Sequence, residues 1–390
     1  MATLKLALKN LLGAGLRTWL NVIVLSMSYV MIIMSQGFIR GWDKQATQDT
    51  IDWEIGGGQY WHQAYDPFDP FTIIDSHGVP PQAMQEKMNA GEVAPILVSQ
   101  ATIYPEGRIQ SVMLKGIDPD QKILKIPTES LKAEIDEIPA VIGTRMAKNT
   151  KLDVGDYVTV RWRDVNETFD AAEIKIVGLM KTSVGNVDMG QMWLSIHRLQ
   201  EMMQMPGEAT LLVSSQEGTT LDRVDGWIFK DQDFLLQDLR AVIQSKLIGN
   251  SIFYIILLLL AMLAIFDTQV FAIFRRRKEI GTLIALGMTR NRVIRMFTME
   301  GAIHGILAAL MAAVWGVPLL AWFASTGMAM PQAADDFGIS LAEKIYPYYS
   351  VGLVLGTTLI VMLTVTIVSF IPTRRIAKLK PTDAIRGKTS

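Results

Sequence analysis

The sequence predicts a membrane protein: four transmembrane α-helices joined to one large extracytoplasmic domain of mixed α/β fold. Three observations carry this reading. Four apolar runs, residues 19–39, 252–274, 301–324 and 351–371, each approach the roughly 20 residues that a helix needs to cross a bilayer. Mean hydropathy is +0.26 although 19% of the 390 residues are charged, so long apolar segments must alternate with an ordinary polar domain. Residues 41–249 hold no such run and have a globular composition.

The first run is longer than the apolar core of a cleaved leader and lacks a small-x-small cleavage site, so it reads as a retained helix. The second is the purest and stops against Arg275-Arg276-Arg277-Lys278; the fourth stops at Pro372. Basic residues near the span ends set orientation. The stretches 1–18, 275–298 and 372–390 together hold sixteen Lys and Arg against two acids, Glu279 and Asp383. Residues 325–349 hold Lys344 against Asp335, Asp336 and Glu343. Both termini and the 275–298 loop are therefore expected in the cytoplasm, with 40–249 and 325–349 on the opposite side of the membrane.

Within 40–249, residues 96–104 and 108–116 read as strands around a Pro105-Glu106-Gly107 turn. Residues 157–163, 173–180 and 209–215 read as further strands, rich in β-branched side chains. Residues 80–89 and 143–149 read as helices, with Pro80 and Pro81 suited to a first turn and Gly91 to a stop. Residues 231–249 place Leu235, Leu239, Val242 and Ile243 at helical spacing and run straight into the second span.

A net charge of −1 gives no pointer to nucleic acid, and the absence of cysteine excludes disulfides, thiolate metal sites and cysteine nucleophiles. His62, His77, His197 and His304 show no ligand spacing, so no metal site is expected. Asp267 is the one acid deep within a span. A charge there costs roughly 2.5–3.5 kcal/mol on insertion scales, so it is expected to face protein or water, and pairing between helices is the simpler reading. Glu300 and His304 open the third span and read as interhelical contacts. The aromatic stretch Tyr60-Trp61, Tyr65 and Phe68-Asp69-Pro70-Phe71 fits a loop packed on its domain better than a surface for an apolar substrate.

The most informative stretch is the loop between the second and third runs. Residues 278–286 read as a short helix that Gly287 ends, with Thr289 able to cap the helix that follows. A rigid short helix at a membrane surface is what a soluble motor would need as a handle. Spacing alone fits a solvated basic loop at least as well.

Arg277-Lys278-Glu279-Ile280-Gly281 followed by Ala285-Leu286-Gly287-Met288-Thr289 resembles the cytoplasmic loop of the MacB/FtsX-type ABC permeases. Ala7-Leu8-Lys9-Asn10-Leu11, with Arg17-Thr18, is similar to that family's N-terminal amphipathic segment. Ile371-Pro372-Thr373-Arg374-Arg375-Ile376-Ala377 and Lys380-Pro381-Thr382-Asp383-Ala384-Ile385-Arg386 resemble its C-terminal signature. Within the family, Val112-Met113-Leu114-Lys115-Gly116-Ile117-Asp118-Pro119 resembles the lipoprotein-releasing (Lol) permeases. Val141-Ile142-Gly143 and Leu152-Asp153-Val154-Gly155-Asp156 are shared with drug-exporting relatives.

The resemblance implies that Lys278, Glu279, Ile280, Gly281, Leu286, Gly287, Met288 and Thr289 form the coupling helix that docks on a separate ATPase. It implies no cofactor in this chain, ATP and Mg being bound by a cytoplasmic ABC ATPase dimer. Gly387-Lys388-Thr389-Ser390 mimics the end of a phosphate loop, but Thr382 stands where the first glycine belongs and the helix that should follow is missing. The further partners implied are a second permease copy or a paralogous permease, the lipid bilayer, and a periplasmic carrier or adaptor protein. The implied function is mechanotransmission that releases lipoprotein or another apolar cargo from the outer face of the inner membrane. A drug or peptide exporter, or an FtsX-like regulator of an extracytoplasmic partner, is the alternative. Cargo contacts are expected at Met31, Met34 and Phe38 (beside Ile32) on the first span and at Phe253, Ile256 and Leu257 on the second. Lipid or a second copy would suit those side chains nearly as well.

Overall fold

The computed structural model describes residues 16–132, 137–215, 224–329 and 344–374. The amphipathic segment at residues 7–11, the loop acids Asp335, Asp336 and Glu343, the tail signature beyond Arg374 and the terminal Gly387-Lys388-Thr389-Ser390 lie outside these residues. The described residues form two compact units. One gathers the stretches up to Trp42, from Val242 to Met328 and from Ile345 onward; the other is built on Asp43–Ala241.

The first unit is helical. Its long helices are Leu16–Thr50, Gln237–Arg275, Arg290–Thr326 and Val351–Thr373, and each contains a stretch long and apolar enough to cross a membrane. Side chains are apolar on all sides, as helices with no aqueous face must be. Leu25, Tyr29, Ile265, Ala308 and Val361 meet in a common core. Packing is close where side chains are small: a Cβ on Gly301 would collide with Ser369. Several polar groups inside the bundle find partners across helices. Asn21 Nδ2 donates to Thr268 Oγ1 (2.5 Å), Ser35 Oγ to Asn250 Oδ1 (2.7 Å) and Trp315 Nε1 to Ser26 Oγ (3.3 Å). The third helix begins at Arg290, well before its apolar run. The fourth starts on Ser350, whose hydroxyl accepts the Leu353 N–H, and runs one residue beyond Pro372.

The second unit is a nine-stranded sheet. Its strands are β1 (Gln59–His62), β2 (Val93–Ile103), β3 (Gln110–Ile117), β4 (Ile138–Gly143), β5 (Tyr157–Arg163), β6 (Phe169–Met180), β7 (Gln191–Ser195), β8 (Leu211–Ser214) and β9 (Trp227–Lys230). The order is β3-β7-β4-β6-β5-β2-β8-β1-β9, and β2 also pairs with β3. That extra pairing closes six strands into a ring from which β8, β1 and β9 extend. Two pairs, β3 with β7 and β4 with β6, are parallel. The length of β2 lets one edge serve two neighbours: Val93–Ile96 pairs with β8 and Ala101–Ile103 with β5.

Alternate side chains of a strand face opposite sides, and here both sides are apolar. Leu97, Ala101 and Ile103 join one core with Val112, Ile142, Val160 and Ile176. Ile96 and Val98 join another with Val141, Trp193 and Val213. The turn after β2 carries Glu106 at φ 47° and Gly107 at φ 75°, which makes the expected hairpin with β3. The strand expected at 157–163 is found at those bounds. The stretch 231–249 is not one helix. Asp231 accepts the Phe234 N–H and opens a single turn, Gln232–Leu235, and the long helix begins anew at Gln237.

Candidate functional site

The loop between the second and third long helices folds as a handle. Arg276 leaves helical geometry (φ −98°, ψ 17°), and a separate helix runs Arg277–Ala285. Gly287, at φ 96°, adopts a conformation that a side chain would strain. Its N–H reaches Ile284 O (3.1 Å) while the Met288 N–H reaches Leu283 O (3.0 Å). This is the 5→2 and 6→1 pair of a Schellman stop, and both Met288 and Leu283 pack against the cluster beneath. Thr289 stands at the start of the third helix with extended backbone, but its hydroxyl makes no capping bond. Instead its carbonyl accepts the Arg292 and Val293 N–H groups, so the expected side-chain cap is corrected to a backbone one.

The eight expected handle residues divide by burial. Ile280 is fully buried among Ile273, Val293 and Phe297, Gly281 is buried beside it, and Met288 is half-buried. Lys278, Glu279, Leu286, Gly287 and Thr289 are exposed, with Thr282 and Ala285 on the same outer face. Leu286 is 80% exposed, an unusual position for a leucine on so short a helix. The buried set fixes the handle's shape, and the exposed set is what a partner could touch.

Sequence reasoning missed Arg276. Its Nε donates to Glu279 Oε2 (2.8 Å) on the handle and its Nη1 to Glu300 Oε2 (3.1 Å) in the third helix. The guanidinium also lies 5.0 Å from the centre of the Phe297 ring. Glu300 is 7% exposed, so this planar fork clamps the handle to the third span. In the sequence Arg276 is hidden in a basic cluster that orientation alone explains. The available signal was Glu300, an acid with no cation in its own helix turn. Among the described residues His304 does not bridge helices: its Nδ1 donates to the Glu300 carbonyl (2.9 Å) one turn back, and its buried Nε2 has no partner among them.

The expected cargo residues differ in exposure. Met31, Phe253 and Ile256 are exposed, Met34, Phe38 and Leu257 are partly covered, and Ile32 is 3% exposed in the helix core. Asp267 is exposed, with no hydrogen bond or ion pair from any described residue. The expected pairing between helices of one chain is therefore absent. In the sheet unit the aromatic stretch splits. Tyr60 is buried in β1, and Trp61 meets Tyr65 edge-on at 5.2 Å. Burial, with Glu54 and Asp66 nearby, pushes the Tyr65 phenol up to about 12. Phe68 and Phe71 stand out into solvent.

Residues 251–381, which contain the handle, the third and fourth long helices and the later part of the second, match the family model described as FtsX-like permease C-terminal. The chain is similar to ABC-transporter permeases of the FtsX type. Among its relatives is the lipoprotein-releasing system transmembrane protein LolC of Neisseria meningitidis. It is 24% identical over 75% of this chain and 77% of its own length. LolC of Xylella fastidiosa is 24% identical over 78% of this chain and 79% of its own. An uncharacterised ABC transporter permease of Methanocaldococcus jannaschii is 24% identical over 65% of this chain and 63% of its own. The periplasmic region of MacB from Actinobacillus actinomycetemcomitans matches 48% of this chain and 94% of that structure, at 9% identity and a TM-score of 0.31.

Proposed function

We propose that this permease works by mechanotransmission in the inner membrane of a bacterium. A separate cytoplasmic ATPase dimer, holding ATP and Mg, moves the handle, and the long helices carry that movement to a periplasmic sheet domain. Two permease copies act together. The cargo is a lipoprotein or another apolar molecule taken from the outer face of the membrane. The observation that carries the reading is the handle itself, folded on Ile280, closed by Gly287, clamped by Arg276 and presenting Leu286 to solvent. A solvated basic loop would need none of these features.

Three further observations support the reading. The handle sits among the basic residues that set orientation, which favours the cytoplasm for it and for both termini. The second long helix is uninterrupted from Gln237 to Arg275, longer than a bilayer requires, and so is a stiff element for transmitting displacement. Two relatives carry the name of a lipoprotein-releasing system, which favours that cargo class over drugs, peptides or regulation of a partner. Met31, Phe253 and Ile256 remain the best-placed cargo contacts because their side chains are free.

Purification from native membranes in a mild detergent tests the assignment. The reading expects an ABC ATPase to co-purify, together with acylated protein. A permease that carries no ATPase under conditions where its dimer survives would overturn it.

A further inference from the structure

The sheet opens where β2 changes partners. One edge of β2 pairs with β8 as far as Ile96 and with β5 from Ala101 onward, so residues 97–100 pair with neither strand on that edge. The Val98 N–H turns instead to Thr210 Oγ1 (3.0 Å). A cavity of about 530 Å³ lies at this opening, within the roughly 300–1,000 Å³ of small-molecule sites. Phe71 and Ile74, from the 3₁₀ segment Pro70–Asp75, line it together with Phe169, Met203 and Met205. Phe71 is 87% exposed and Phe169 62%, so the wall carries aromatic surface that the chain itself leaves uncovered.

Three charged side chains line the cavity, Arg161, Arg163 and Asp164, and two of them are engaged. Asp164 accepts the Asn166 and Thr168 N–H groups and a bond from Gln204 Nε2. Arg163 pairs with Glu167 at 2.7 Å. The Arg161 guanidinium has no hydrogen bond or ion pair from any described residue. The strand register sets Arg161 opposite Thr102 of β2, and its guanidinium lies 4.3 Å from the centre of the Phe169 ring. Stacking of this kind uses the face of the guanidinium and leaves the N–H donors at its edge for a planar anion.

We propose that this cavity binds an anionic amphiphile, a single apolar chain that ends in a carboxylate or phosphate. The chain lies against Phe71, Ile74, Met203 and Met205, and the head group is held by Arg161. Met side chains are flexible and polarisable, which suits a ligand of variable shape. A neutral apolar ligand would cover the Arg161 donors without replacing the water they lose, an unfavourable exchange. A small inorganic anion would leave the aromatic wall unused. The site shares no residue with the handle or with Met31, Phe253 and Ile256, so it stands or falls apart from the transport reading.

The test uses the full chain in nanodiscs of zwitterionic lipid, with decanoic acid and decanol that each carry a diazirine at the chain end. After irradiation, labelled peptides are identified by mass spectrometry. Peptides covering residues 66–75, 157–170 and 199–206 are expected to take several-fold more label from the acid than from the alcohol. Arg161→Gln should bring the acid down to the level of the alcohol. Arg161 is exposed, so this change should leave the melting temperature in place. Arg163→Gln should preserve the excess, and Phe71→Ser should lower the label from both probes. Label confined to the spans overturns the proposal. So does equal labelling by acid and alcohol, or an undiminished excess in Arg161→Gln. Unlabelled decanoate should displace the acid probe. Displacement by phosphatidylglycerol in the disc, and not by decanoate, would overturn the single-chain assignment.

Discussion

Leu286 separates the handle's docking from its folding. At 80% exposed it loses almost no internal contact on substitution, and surface changes of this kind usually stay within about 0.5 kcal/mol of stability. If an ATPase buries that side chain, the contact is worth about 1.5–3 kcal/mol. At about 1.4 kcal/mol per factor of ten, Leu286→Glu should weaken ATPase binding roughly 10- to 100-fold. Ile280→Ala is the contrasting change. Ile280 is fully buried, so its truncation should cost about 2–5 kcal/mol and loosen the handle as a whole. The assay is titration of the purified ATPase subunit against permease in nanodiscs, followed by ATP turnover of the complex. Leu286→Glu should keep the wild-type melting temperature and lose binding. Wild-type affinity and turnover in that variant would refute the docking assignment.

Removing Arg276 as alanine strands a buried Glu300 charge. It should cost about 3–5 kcal/mol, and adding Glu300→Gln should restore part of the loss in thermal unfolding. Gly143→Ala should lower the melting temperature of the sheet unit, because a Cβ there runs into the Asp188 backbone; overpacking of this kind costs about 1–3 kcal/mol. Burial, then His77, lowers the His62 pKa below its ordinary 6.5, against an opposing pull from Glu208. The unfolded state therefore binds the proton more readily. Stability from this group is complete above pH ~6.5 and falls as the pH drops through the folded value. Comparing unfolding at pH 7 and pH 5, His62→Gln should show a smaller acid loss than wild type.

Periodicity and charge made the spans legible because a bilayer imposes a minimum length and a sign rule on every segment. The handle was legible through one residue with fixed backbone meaning, the helix-ending Gly287. The sheet was only half legible. β5 alternates buried and exposed side chains and was found, whereas β4 and β7 are buried on both faces and read as short apolar runs without a period. β1 and β9 are short, and the pairing of β1 with both β8 and β9 joins segments far apart in the chain. Arg276 escaped notice because its role depends on Glu300, two dozen residues away, being brought back by the turn at Gly287. The aromatic stretch could not be divided from sequence, since only the pairing of β1 decides that Tyr60 is inside and Phe71 outside.

Mechanotransmission requires that ATP use at the handle move the sheet domain. Its most direct test is a spin label at Lys148→Cys, an exposed position on the sheet unit, in the complex purified from native membranes. The distance between the two labels is measured by pulsed electron resonance without nucleotide and with ATP trapped by vanadate. Mechanotransmission predicts a shift in that distance on trapping, abolished by Leu286→Glu. The same distance in both states, while the complex hydrolyses ATP, would contradict it.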